Sequence, residues 1–232
     1  MNKVEVLDLL ERNKNERGIA NWNKLAKRPK ELKSFGIGLT QLRKLAKQVG
    51  RNHELALELW ESEYYDAKII SLLIDDPKLI TQEQAESQVE QLQGGYLAHV
   101  FSSCNATLAK TTFTKELADK WMVSDDPIRK RCGYGLLYEM SKSKKKSAPD
   151  DAYFLGQIST INDSFESASI LIQMAMAGAL MGMGMRSYEL NRAALKVAQH
   201  MGPIKFDETG KCDPFDVSKH LTSDYAKRKF GF

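Results

Sequence analysis

The stretch Thr40-Gln41-Leu42-Arg43-Lys44-Leu45-Ala46-Lys47-Gln48-Val49-Gly50 sets the reading of the whole chain. Leu42, Leu45, Ala46 and Val49 fall at i, i+3, i+4 and i+7, the spacing that puts apolar side chains on one face of an α-helix. Thr40 is placed to cap the start of this helix and Gly50 to end it. Working outward, Asn52-His53-Glu54 opens a second helix with Leu55, Ala56, Leu59 and Trp60 on one stripe. A third runs from Tyr64 to Ile74 and stops at Asp75-Asp76-Pro77. That tripeptide returns at Asp125-Asp126-Pro127, fifty positions later, each time with aspartate set to cap and proline set for a first helical turn.

Further helices are predicted over residues 82–93, 96–108, 114–123, 127–141, 148–160, 165–185 and 187–200, with a short terminal helix over 217–229. No strand signal interrupts them. A helix-stop-helix unit at this spacing predicts an all-α protein, an α-solenoid or superhelix of HEAT-like antiparallel helix pairs, whose repeats commonly run about 40 to 47 residues. We expect one HEAT-like repeat domain over residues 1–232, with basic N-terminal helices over 1–35, a hinge at Lys142–Asp150 and a C-terminal cap over 203–232.

The chain has 232 residues, 42% of them hydrophobic, enough for a substantial core. Its 34 Lys and Arg exceed its 30 Asp and Glu, a surplus of +4 that permits an anionic partner without requiring one. Cys104, Cys132 and Cys212 lack the spacing of a zinc site or disulfide framework and read as reduced cytosolic thiols. No cofactor or metal is predicted: His53, His99, His200 and His220 show no ligand pairing, and Gly182 and Gly184 lie inside an apolar helix rather than a phosphate loop. The N-terminus lacks the apolar run of a signal peptide, giving a cytoplasmic expectation. Residues 168–185 approach the length of a membrane span, yet they draw on glycine and methionine rather than leucine and read as a buried helix.

Two helix starts carry cations where the helix dipole favours acids. Arg43 and Lys44 follow Thr40, and Arg129, Lys130 and Arg131 follow Pro127, each costing about 0.3–1 kcal/mol when exposed. Either neighbouring aspartates offset this locally, or the cations and free amides grip phosphates. Lys24, Lys27, Arg28, Lys30 and Lys33, with Trp22 beside them, would extend such a surface, although most lysine runs are solvated helix faces.

Several patches resemble the DNA alkylation repair (AlkD-like) family: the run Gly38 to Lys47, Glu54 to Trp60, Asp66-Ala67-Lys68 through Asp75-Asp76-Pro77, Arg131-Cys132-Gly133-Tyr134, Leu190-Asn191 to Ala198, and Gly202-Pro203-Ile204 to Cys212. The resemblance implies helical pairs holding duplex DNA, alkylated or not, on a basic concave face. It also implies excision of N3- or N7-alkylated purines from the sugar side, with tryptophans against the deoxyribose and an aspartate facing the cationic anomeric carbon. The family's Ser-Trp-Asp-x-x-Asp-like segment falls at Gly94 to Phe101, where no carboxylate and no tryptophan occur. Its second tryptophan, followed three residues on by arginine, falls at Gly178 and Met181, and its DNA-facing arginine matches Arg131. Tyr96 is placed to replace an aromatic contact and His99 to shape the site.

Three readings stay open. The first is a glycosylase with a rearranged site, its carboxylate supplied by Asp66 or Glu139. The second is a non-catalytic DNA-binding array that reads shape and phosphates. The third is a protein-binding scaffold. The residues expected to contact DNA are Lys24, Lys27, Arg28, Arg43, Lys44, Tyr96, His99, Arg129, Lys130 and Arg131.

Overall fold

A computed structural model describes residues 1–25, 29, 31–92, 95–206 and 213–232. They form two compact units, Met1–Thr114 and Lys115–Phe232. Among the described residues extended pairing is confined to two isolated bridges, Lys33 with Tyr64 and Ile204 with Phe215.

The first unit is built from α1 (Lys3–Arg12), α2 (Glu16–Asn23), α3 (Leu39–Val49), α4 (His53–Trp60), α5 (Tyr65–Ile74), α6 (Gln82–Val89) and α7 (Leu97–Ser102), with a single 3-10 turn at Leu108–Lys110. Its centre is α5, which α1, α3, α4 and α7 all contact. The stripe that defines α3 behaves as its spacing predicts: Leu42, Leu45 and Ala46 are buried. Gly50 ends the helix at φ 81°. Its start differs, because Gly38 is the capping residue and makes no side-chain bond, so Thr40 already lies inside the helix. Asn52 caps α4 by accepting the Leu55 N–H at 3.0 Å, and Leu55, Ala56, Leu59 and Trp60 are buried.

The two Asp-Asp-Pro tripeptides do different work. At the first, Asp76 closes one turn by accepting from the backbone of Lys78, Leu79 and Ile80, and the next helix waits for Thr81 to cap it. At the second, Asp126 caps a helix directly and Pro127 is its first residue. Proline suits both, since it needs no hydrogen-bond acceptor in a first turn.

The second unit contains α8 (Thr114–Met122, beginning at the boundary), α9 (Pro127–Ser141), α10 (Asp151–Ser164), α11 (Ile170–Gly184), α12 (Tyr188–Met201), α13 (Val217–Leu221) and α14 (Asp224–Phe230). The apolar α11 is its core element and packs on α9, α10, α12 and α13. Its first five predicted residues lie outside the helix, which starts only after Ser169. Met176 and Met183 fill the core as expected, while Met181 and Met185 are half-buried. Among the described residues no helix is long and apolar enough to cross a membrane. The terminal helix divides in two, because Thr222 ends α13 and Ser223 caps α14.

Candidate nucleic-acid interface

In the first unit the candidate residues are arranged by α7. Leu97, Ala98, Val100 and Phe101 are buried, so the helix turns only Tyr96 and His99 outward. Tyr96 is 59% exposed. Its position is fixed from below: its N–H donates to Tyr65 Oη at 2.9 Å, and Gly95 passes over the Tyr65 ring at φ 54°. A Cβ on Gly95 would stand 2.7 Å from Tyr65 Oη, so no larger residue fits without displacement. Tyr65 is in turn held against Trp22, with ring centroids 4.5 Å apart, and burial pushes its phenol up to about 12. Trp22 is therefore a core residue rather than part of a basic surface.

Beyond α7 the chain turns sharply through Cys104 (φ 59°) and Asn105 (φ 65°). This turn presents the Cys104 carbonyl to the Arg43 guanidinium, which donates at 3.4 Å, and sets Cys104 Sγ 2.9 Å from His99 Nε2. The Tyr96 and His99 rings meet edge to face at 6.4 Å. Arg43 from α3 and Tyr96 and His99 from α7 thus converge around Cys104. The cysteine's part was not legible in the sequence, because Asn105 favours a left-handed backbone but nothing marks Cys104 as sharing it.

Other predicted residues are more dispersed. Lys44 is exposed on the next position of α3, and Lys24 is exposed at the end of α2. Lys27 and Arg28 lie outside the described residues, as does Lys30. Lys33 pairs with Glu63 at 2.8 Å and stands over the Tyr64 ring, so much of its charge is used locally.

In the second unit Arg129, Lys130 and Arg131 are the third to fifth residues of α9, all half-buried. Asp126 accepts the Arg129 N–H at 2.7 Å, the local offset expected for cations at that end. Among the described residues Lys130 and Arg131 have no ion pair. Gly178, standing where the resemblance places a tryptophan, faces open space: a Cβ there would meet nothing within 4 Å.

The two carboxylates considered for catalysis are both spoken for. Asp66 is 0% exposed, and its oxygens accept from Ser34 Oγ at 2.8 Å, Phe35 N–H at 2.8 Å and Ile37 N–H at 3.0 Å. It ties the loop before α3 onto α5. Burial raises its pKa, and the three accepted bonds oppose that rise. The Glu139 side chain is 7% exposed and pairs with Lys142 at 2.7 Å. Among the described residues, Tyr96, His99, Cys104 and Arg43 bring together an aromatic ring, an imidazole, a thiol and a guanidinium. That set can stack on sugars or bases and donate to phosphate oxygens. It brings no negative charge to an oxocarbenium-like centre.

An all-helical array of this kind defines the class of HEAT-like repeat proteins, and the family is shown by comparison. The chain belongs to the DNA alkylation repair enzyme family, whose model matches residues 6–211. It is 22% identical over 178 residues to the uncharacterised protein Lin0241 of Listeria innocua, covering 76% of each chain. A solved structure described as a new family of proteins related to the HEAT-like repeat DNA glycosylases, with affinity for branched DNA structures, superposes with a TM-score of 0.83. That match covers 100% of this chain and 97% of the other at 20% identity, and it shows that the two share the all-α HEAT-like repeat fold.

Proposed function

We propose that this protein is a DNA-binding member of the family that recognises the shape and backbone of branched or bent duplex DNA and does not depend on excising an alkylated base. The observation that carries this reading is the outward face of α7. It offers Tyr96 and His99 beside Arg43 where the resemblance calls for tryptophan and aspartate, and both candidate replacement acids serve structural bonds. The affinity of the structurally similar protein for branched DNA supports the same reading. Arg43 and Lys44 in the first unit, and Lys130 and Arg131 in the second, are the phosphate contacts, and Lys24, Lys27, Arg28 and Arg129 add to the positive charge of the chain. Such contacts position DNA without reading its sequence.

Fluorescence anisotropy with a continuous duplex and a three-way junction, across a salt titration, tests the binding. Salt-sensitive affinity that is higher for the junction is the expected result. A parallel assay of N7-methylguanine release from methylated duplex is expected to give no product above background. Release abolished by Asp66→Asn or Glu139→Gln would replace this reading with a glycosylase one. Absence of DNA binding at low salt would favour a protein-binding scaffold.

A further inference from the structure

The second unit holds a cavity of about 650 Å³ that the interface above does not use. It opens where the last turns of α9 and α11 meet α14. Its floor is Tyr138, Met181 and Met185, and its rim carries Lys144, Tyr225 and Lys229. Beside it α11 packs closely on α9, which requires glycine at residue 182: a Cβ there would lie 2.6 Å from both Ser141 Oγ and Tyr138 Cδ2.

The wall is rigidly built. Arg186 donates to the carbonyls of Ser141 (3.1 Å), Ser143 (2.6 Å) and Pro149 (3.1 Å) and to the Asp151 carboxylate (3.1 Å), so the linker after α9 is pinned to the end of α11. Four of its five donors are used in this way, which makes Arg186 part of the scaffold. Lys142 is likewise committed, paired with Glu139 and 4.4 Å from the centre of the Tyr138 ring.

The groups left over define what fits. Tyr225 is 61% exposed, and Lys229 lies one turn further along α14. Lys229 Nζ donates one hydrogen to the Met185 carbonyl, which leaves two of its three donors. Lys144 has no acidic partner among the described residues, and Lys145 and Lys146 follow it. Arg228 adds charge on α14, while Lys227 is paired with Asp224 at 3.8 Å. A cavity within the roughly 300–1,000 Å³ of small-ligand sites, with an aromatic and thioether floor and ammonium groups at its mouth, suits a planar ring carrying an anion. Stacking on tyrosine and a phosphate held by lysine are how single strands are gripped. Paired bases offer no free ring face to such a cavity.

We infer that this cavity takes an unpaired nucleotide of a DNA strand, its base against Tyr225 and the methionine floor and its phosphate between Lys144 and Lys229. The inference rests on the DNA-binding reading above and gives it a physical source for preferring branched DNA, since unpaired nucleotides occur at branches.

The test uses the full chain, with anisotropy on a continuous duplex and on the same duplex carrying a single-stranded flap. Wild type is expected to favour the flap. Tyr225→Ala, at an exposed position, is expected to weaken flap binding about tenfold with duplex binding unchanged. Lys229→Ala is expected to weaken flap binding and reduce its salt slope by about 1. An iododeoxyuridine at the first unpaired position should photocrosslink to the peptide holding Tyr225 or Tyr138. Equal binding of both DNAs by wild type, equal losses on both in the variants, or a crosslink elsewhere would overturn the inference while leaving duplex binding standing. Binding of neither DNA would sink both readings. Free deoxyadenosine monophosphate is the last arm: saturable binding of it that leaves flap affinity untouched would assign the cavity to a free nucleotide and overturn the strand proposal.

Discussion

At the residue scale the informative groups are those whose removal leaves something unpaired. Asp66 accepts three hydrogen bonds in a dry setting, so Asp66→Ala orphans two backbone donors and a hydroxyl and is expected to cost about 3 kcal/mol. Chemical denaturation measures it. The pH dependence has a defined sign. Burial holds the native Asp66 carboxyl above its ordinary value of 3.8, so the folded state keeps the proton more tightly than the unfolded chain. The stability this gives is full below that ordinary value and is lost as pH rises through the native one. Asp66→Asn is expected to remove that slope, which urea titrations at a series of pH values across the acidic range would read. Gly95→Ala combines a positive φ with a Cβ pressed on the Tyr65 ring and is expected to cost about 1–3 kcal/mol, seen as a lower Tm. Neither effect was legible beforehand. Asp66 stands in the sequence as a candidate replacement acid, and nothing local announces that three groups some thirty residues upstream converge on it.

The helices themselves were largely legible, because periodicity is a local property. The stripes of α3 and α4 and the Asp126-Pro127 start of α9 all stand where spacing puts them. Failures came where tertiary contacts decide. Residues 96–108 hold enough apolar positions for a continuous helix, yet α7 ends at Ser102 because Cys104 and Asn105 turn the chain back toward Arg43. Close packing of α11 on α9 is likewise a contact property. Gly182→Leu would drive its side chain into Ser141 and Tyr138, and overpacking of this kind costs about 1–3 kcal/mol. Gly178→Leu, by contrast, points into open space and should be near neutral. Comparing the two Tm values checks the assignment, and equal losses would contradict it.

For the molecule as a whole, the family and all-α fold were legible because they are spread over many short patches, and the family model covers both compact units. The candidate site was less so. The sequence offered Arg43, Tyr96 and His99 as separate residues, and only folding joins them at Cys104. If each unit grips its own phosphates, Arg43→Ala and Arg131→Ala should each lower the salt slope of duplex binding by about 1 and weaken all sequences alike. Sites that act independently should give, in the double variant, the sum of the losses. Anisotropy over a range of salt concentrations measures both. A slope unchanged by Arg131→Ala would remove the second unit from the contact.

The position of α14 has a practical corollary. Tyr225 and Lys229 frame the mouth of the cavity, and Phe232 follows immediately, its ring 6.1 Å from that of Tyr188. A bulky fluorophore attached to α14 between Tyr225 and Lys229 would sit at that opening and compete for it. Preparations meant for binding work are better labelled at an exposed position of α1 such as Val4.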